Sequence, residues 1–355
     1  MPPAAAQPPS RALNAILPLI TSGQAYEAHQ KARTFASRYQ KSNQYDTAID
    51  VLFQSARELL KAGQQGSGTD LACFMLDVYE NKGENVNDES RGRITQLIAL
   101  TGPSGSWRKS IIDKAVAWSA KHGSCPAGDP DLQHYIGELL YRGLSCAHYD
   151  GAFDSAELHL LAAGKRDSAR LLAQMYAEWL ANGGTPGAFG LRGVIPYLQN
   201  GNILAARSFL TQYVSQLTSA NPALISSQQS APIPVGKPED GDEIIFTTDS
   251  VLNFAQLAVR TCQRAQGTQN KAMREAWVRL CGTYQSRGGL MATREVRKAV
   301  IELAELYFSI PPPRTQPANP LNDMLSAMFG GAPTTAASVR RVLSPPPTTK
   351  PPGLD

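Results

Sequence analysis

From Arg11 to about Leu217 the apolar residues recur three and four positions apart, segment after segment. Ile49, Leu52, Phe53, Ala56 and Leu60 make one stripe, and Leu71, Phe74, Met75 and Val78 make another. Side chains at that spacing share one face of an α-helix, whereas a half-buried strand needs strict alternation. Turn residues separate the stripes: Ser22-Gly23, Lys41-Ser42-Asn43, Gly63 to Gly68, Gly102-Pro103-Ser104-Gly105, Pro126 to Pro130 and Gly183 to Gly187. Helices of about 12–20 residues joined by turns this short reverse direction and pack as antiparallel neighbours. Composition agrees. Aromatic residues are only 7% of the 355, which speaks against an all-β chain, while 42% hydrophobic residues can fill a sizeable core.

A short similarity recurs at helix starts. Gly23-Gln24-Ala25-Tyr26-Glu27-Ala28 resembles Asn43-Gln44-Tyr45-Asp46-Thr47-Ala48, and both resemble Tyr149 to Ala156. Each sets an aromatic near an acid and a small residue, so that helices approach closely with the ring between them. The expectation is an all-α, tetratricopeptide-like α-solenoid of antiparallel helix pairs, although the strict 34-residue period of that repeat is absent. The plainer alternative is any all-helical domain with alanine-rich seams.

The pattern changes at 218–249. Residues 220–236 carry no charge, and Ile233/Val235 and Ile244/Phe246 alternate on either side of Asp240-Gly241. That reads as a β-hairpin or, failing that, an irregular loop. Two strands alone are marginal in water, so a hairpin here must lie on the helical body or on a partner. Helices resume near Asp249 and stop at Ile310, where PPPRTQPANP cannot continue one. Beyond it Leu321, Met324, Leu325, Met328 and Phe329 fall on one helical face within 321–329. The organisation expected is a disordered 1–10, an N-terminal lobe over 11–147, a C-terminal lobe over 148–310 that includes the 218–249 hairpin or loop, and a Pro-rich tail over 311–355.

Several function classes fall away. The net charge of +4 is dispersed without a Lys/Arg block, so nucleic acid is not an expected partner. No stretch reaches the roughly 18 consecutive apolar residues of a membrane span. Five scattered cysteines without a CxxC point to a reducing compartment. Only Arg11 supplies positive charge before Glu27, a poor basis for a transit peptide. Nucleotide-binding glycine motifs, HExxH and GxSxG are absent. His122, Cys125, His134, Cys146 and His148 are zinc-ligand types, but their spacing fits no compact zinc module. GQQGSG at 63–68 lacks the lysine of a phosphate loop and reads as a helix–helix turn. No cofactor, metal or catalytic residue is expected.

Longer runs carry a resemblance. GQAYEAHQKARTFASRYQKSNQYDTAI at 23–49, KAGQQGSGTDL at 61–71, GDPDLQHYIG at 128–137, LNFAQLAVRTCQ at 252–263, and YFSIPPP followed by LNDMLSAMFGG resemble, in order, the Golgi to ER traffic scaffold family in its fungal form. The resemblance covers about 11–331. It implies a cytosolic, non-enzymatic α-solenoid in the post-translational delivery of tail-anchored proteins to the endoplasmic reticulum. The N-terminal half would bind a homodimeric targeting ATPase and restrain its hydrolysis. The C-terminal half would grip a ubiquitin-like-domain adaptor, which recruits a chaperone carrying the client. Carried over motif by motif, the ATPase face falls on Arg11, Tyr26, His29, Asp70 and Asp77. One aromatic usual before EAHQ is replaced by Ala25. Asp70 and Asp77 are seven apart, so they share one exposed helix face; the plainer role for Asp70 is helix-dipole stabilisation in a first turn. The adaptor site is expected at the hairpin and the helix after it: Ile233, Val235, Ile244, Phe246, Leu252, Phe254 and Leu257. The competing reading is a helical-repeat adaptor of another assembly with no ATPase partner.

Overall fold

The computed structural model describes residues 9–103, 105–143, 149–227, 233–234 and 243–312. These divide into two compact units, the first ending at Ala163 and the second beginning at Gly164.

The first unit holds α1 (Pro9–Thr21), α2 (Ala25–Lys41), α3 (Tyr45–Lys61), α4 (Gln65–Lys82), α5 (Asp88–Leu100), α6 (Trp107–His122), α7 (Pro130–Arg142) and α8 (Tyr149–Ala163). Helix α1 starts within the stretch expected to be disordered. The central helix is α3, with Ala48, Ile49, Val51, Leu52, Phe53, Ala56, Leu59 and Leu60 all buried; it packs on α1, α2, α4 and α5.

One turn repeats every twenty residues. Gly23, Asn43, Gly63 and Gly83 all have left-handed backbone, with φ of 82°, 58°, 77° and 71°. After each, the next residue donates its N–H five positions back: Gln24 to Leu19 O at 2.8 Å, Gln44 to Tyr39 O at 2.8 Å, Gln64 to Leu59 O at 2.9 Å and Glu84 to Tyr79 O at 2.9 Å. This Schellman closure satisfies the orphan carbonyls of the ending helix. At the first three turns the same Gln opens the next helix, so no linker is needed. Four residues later comes a buried small residue, Ala28, Ala48 or Gly68. A Cβ at Gly68 would lie 2.5 Å from Leu60 Cγ, so only glycine lets α4 approach α3 there. The 63–68 glycine run is therefore only partly a turn. Helix α4 begins at Gln65, and Gly66 and Gly68 are helical.

The second unit holds α9 (Arg166–Leu180), α10 (Pro186–Gln199), α11 (Ile203–Ala220), strands β1 (Ile233–Pro234) and β2 (Glu243–Ile244), then α12 (Ser250–Gln263), α13 (Lys271–Gln285) and α14 (Arg294–Phe308). Tilted, edge-on and stacked rings of Tyr176, Phe189, Phe209 and Tyr213 fill the space between α9, α10 and α11, with centroids 5.3 to 5.7 Å apart. Asp249 caps two helices at once. Its Oδ1 accepts from Val251 N at 2.8 Å at the start of α12, and its Oδ2 accepts from Gly187 N at 2.8 Å at the start of α10.

Two short strands pair where the hairpin is expected. Ile233 pairs with Ile244 and Pro234 with Glu243 in antiparallel register. Val235 and the Asp240-Gly241 turn lie outside the described residues, as does the 321–329 segment.

The left-handed turns make a clean test, because a Cβ at Gly63 would meet nothing within 4 Å. Any cost of filling it is therefore backbone strain. Gly63→Val should lower stability by about 1–2 kcal/mol, while Asn43→Gly should change it by less than about 0.5 kcal/mol. Urea unfolding of both variants checks the pair.

Candidate functional site

The N-terminal candidate surface centres on α4. Gly66, Asp70, Cys73, Asp77 and Glu80 recur at four and three along it, forming one stripe. On one side is α2, whose Tyr26, His29 and Arg33 are likewise spaced by three and four. On the other is α6, whose Trp107, Lys114 and Lys121 are spaced by seven.

The α4 acids tie the three helices together. Asp70 Oδ2 lies 2.8 Å from His29 Nε2 and also accepts from Arg33. The Arg33 guanidinium lies over the Phe74 ring, 5.4 Å from its centroid. Asp77 Oδ1 is 2.6 Å from Lys114 Nζ. Glu80 takes Lys121 and, at 3.2 Å, His122 Nε2. Burial opposes the charged form of Asp70, but the bonds and charges of His29 and Arg33 outweigh it and hold its carboxyl below the usual range. The hydrogen bond from Lys121 does the same for Glu80. Burial pushes the Cys73 thiol up.

The expected ATPase residues are thus distributed unevenly. His29 and Asp70 are brought into direct contact. Asp77, still 51% exposed, joins them through the helix face and pairs with α6 instead. Tyr26 stands 73% exposed in the first turn of α2. Arg11 is exposed on α1, which packs on α2 and α3. Asp70 is the sixth residue of α4, so a first-turn dipole role does not apply. Sequence reasoning missed Arg33, Lys114 and Trp107. Trp107 is 44% exposed and lies over Gly66, whose Cβ would be 3.6 Å from its ring. The one available signal was that Arg33 follows His29 by four.

The C-terminal candidate site is a groove of about 250 Å³ between α11, β2 and α12. Leu210, Val214, Ile245 and Val259 line it, with Arg207, Glu243 and Arg260 also contributing. One wall is the hairpin, and α12 holds it by side-chain amides. Asn253 accepts from Thr247 N at 2.8 Å and donates to Thr247 O at 2.8 Å. Gln256 accepts from Ile245 N at 3.2 Å and donates to Ile245 O at 2.8 Å. Two amides one helical turn apart thereby occupy the place of a third strand. The opposite edge is partly paired too, with Ser226 N donating to Phe246 O at 2.9 Å.

The expected adaptor residues separate by burial. Ile233 is 45% exposed, while Phe246 and Leu257 are half-buried. Ile244 is buried at 3% exposure, Leu252 at 0% and Phe254 at 2%. Leu252 packs towards Gly190 and Phe254 against Tyr284. All three are core side chains in this structure. The α11 wall of the groove was not anticipated at all.

Of the zinc-type residues, His122 is engaged by Glu80 and Cys125 is buried; Cys146 and His148 lie outside the described residues. Among the described residues no group of three His, Cys, Asp or Glu could hold a metal ion, and no helix is long and apolar enough to cross a membrane.

The family model for Golgi to ER traffic protein 4 matches residues 42–329. The chain belongs to that family. Golgi to ER traffic protein 4 of Aspergillus fumigatus is 33% identical over 331 residues, covering 88% of this chain and 87% of the relative. That of Schizosaccharomyces pombe is 27% identical, covering 87% and 92%. The crystal structure of C. therm. Get4 superposes with a TM-score of 0.74 at 29% identity, covering 93% of this chain and 98% of that one. The helical solenoid fold is shared with it.

Two outcomes are expected from these geometries. Asp70 has its pKa lowered in the folded chain, so its ion pairs stabilise above the unfolded value of about 3.9 and lose that effect as pH falls through the folded value. Wild type should exceed Asp70→Asn in stability above about pH 4, and the two should converge in more acid solution; chemical unfolding across pH reads this directly. In the second unit, Asn253→Ala with Gln256→Ala should speed hydrogen exchange at the Ile245 and Thr247 amides by about tenfold or more, since each net hydrogen bond contributes about 0.5–1.5 kcal/mol. Exchange in α9 should stay unchanged.

Proposed function

We propose that the protein is a cytosolic, non-enzymatic scaffold for the post-translational insertion of tail-anchored proteins into the endoplasmic reticulum membrane. Its N-terminal unit receives a homodimeric targeting ATPase. Its C-terminal unit holds a ubiquitin-like-domain adaptor, which brings a chaperone loaded with the client. The supporting observation is the family match, which runs through both units from residue 42 to 329.

The two surfaces suit different tasks. Tyr26 and Arg11 are exposed and offer an apolar anchor and a steering charge. Exposed charges act within a Debye length of about 10 Å at 0.1 M salt and chiefly set on-rate and register. Asp70 and Asp77 are already paired with α2 and α6. A basic residue of the ATPase must exchange with Arg33 or Lys114 to reach them, so net affinity gained there is small. Such an exchange suits control of the ATPase, because it reads the partner's conformation. At the other unit, an apolar segment of the adaptor seats in the α11–β2–α12 groove, with Phe246, Ile233 and Leu257 at its margin.

Arg11→Glu with Tyr26→Ala should weaken capture of the ATP-loaded ATPase by at least tenfold, leaving adaptor binding intact. Asp70→Asn with Asp77→Asn should leave capture within about threefold and relieve the restraint on hydrolysis, a difference of under about 0.7 kcal/mol in binding. Phe246→Ala should loosen the adaptor alone. Calorimetry for each partner, with ATP turnover, measures all three. If none of these substitutions alters either partner, the reading as an ATPase–adaptor scaffold fails.

A further inference from the structure

Helices α4 and α6 run parallel. Gly66 meets Trp107, Asp77 pairs with Lys114 and Glu80 with Lys121, so residue numbers rise together along both. Two chain reversals, at Asn43 and Gly63, separate α2 from α4, so these two are parallel as well. The three helices therefore begin at one edge of the first unit. That edge carries two exposed aromatic rings: Tyr26 in the first turn of α2 and Trp107 at the first position of α6.

Trp107 is held in place. Its benzene side rests on Gly66, where a Cβ would come within 3.6 Å of Cζ2 and 3.7 Å of Cη2. Its pyrrole side lies by Gly105, where a Cβ would come within 3.5 Å of Cδ1 and 3.6 Å of Nε1. The residues before α6 are fastened too. Gly102 N donates to Gln65 Oε1 at 2.9 Å, which ties them to α4, and Arg108 Nε donates to the carbonyl of the buried Thr101 at 2.9 Å. The tryptophan that fills the core from α6 is Trp118, at 1% exposure, whereas Trp107 lies outside that core. An aromatic ring already fixed, with one face open, loses little freedom on binding and is the side-chain type that dominates interface energetics.

We propose, on the reading of this unit as the ATPase-binding one, that Trp107 is a second anchor for the targeting ATPase. Continuity assigns the ring to that partner. It sits on the α4 stripe that carries Asp70 and Asp77, one helical turn before Asp70, so a body covering the acids covers Trp107. Neighbouring helix axes lie about 8–10 Å apart, which puts α2 and α6 about 16–20 Å from each other. That span fits within a standard interface of about 800 Å² per partner. A single anchor at Tyr26 leaves the partner able to swing about it. A second anchor on α6 fixes the orientation in which the partner meets Asp70 and Asp77.

The test uses the full chain with its four tryptophans replaced by 5-fluorotryptophan, Trp107→Phe assigning one of the four fluorine resonances. Addition of the ATP-loaded ATPase should shift or broaden the Trp107 resonance more than the other three. By calorimetry, Trp107→Ala should weaken capture of that ATPase by about tenfold or more, with adaptor binding and melting temperature unaltered; Trp107→Phe, which keeps an aromatic ring, should retain most of the affinity. Capture by wild type with no selective change at Trp107 and no loss in Trp107→Ala would overturn the proposal and leave the scaffold reading standing. Loss of capture with a lowered melting temperature, but no selective fluorine change in wild type, would make Trp107 a packing residue and overturn it too. A Trp107 shift that grows with chain concentration in the absence of ATPase would assign the edge to self-association and overturn it. No capture by wild type would sink the scaffold reading, and this proposal with it.

Discussion

The left-handed residue that closes one helix and starts the next sets the shape of the N-terminal unit. A helix leaves four carbonyls unsatisfied at its end. At Gly23, Asn43, Gly63 and Gly83 a single positive φ turns the chain so that the following N–H reaches back to one of them. At the first three of these turns the same step delivers the chain into the next helix without a linker. Three helices of 17, 17 and 18 residues then begin at equivalent points, so Ala28, Ala48 and Gly68 recur where neighbours come closest. The stripe on α4 follows from that register. Asp70 meets His29 because α2 and α4 start in phase on either side of α3.

The second unit solves a different problem. A two-stranded hairpin lacks enough partners to be stable alone, and here a helix supplies them. Asn253 and Gln256 present an amide each to alternate residues of the 245–247 segment and satisfy both its donors and acceptors. That edge of the hairpin is thereby saturated. Asp249 couples the same helix to α10 by capping both. The groove is built from a fixed helix pair and a tethered ribbon, which suits reception of an extended or helical segment with little rearrangement.

Helix periodicity made the all-α class and the solenoid legible, and alternation around Asp240-Gly241 made the hairpin legible. What could not be read were interactions that pair residues far apart. His29 and Asp70 are 41 positions apart and Asp77 and Lys114 are 37 apart, so nothing local marks either pair. Gly66 and Gly68 looked like turn residues because glycine weakens helices; Trp107 and Leu60 press on them from other helices, and that cannot be seen in the run itself. The twenty-residue period was masked because it is carried by backbone conformation at Gly or Asn rather than by a shared consensus. Leu252 and Phe254 were grouped with the adaptor site because they sit next to the hairpin; helix α12 turns them into the core and turns Asn253 and Gln256 to the strand.

The central claim is that one chain joins a targeting ATPase and a ubiquitin-like adaptor. Tagged full-length chain recovered from its own cells in ATP-containing buffer, and analysed by quantitative mass spectrometry of the proteins bound to it, tests this most directly. The account predicts that both partners are recovered together, the adaptor in near-stoichiometric amount and the ATPase lost as salt is raised. Recovery of a different helical-repeat assembly with neither of them would contradict it.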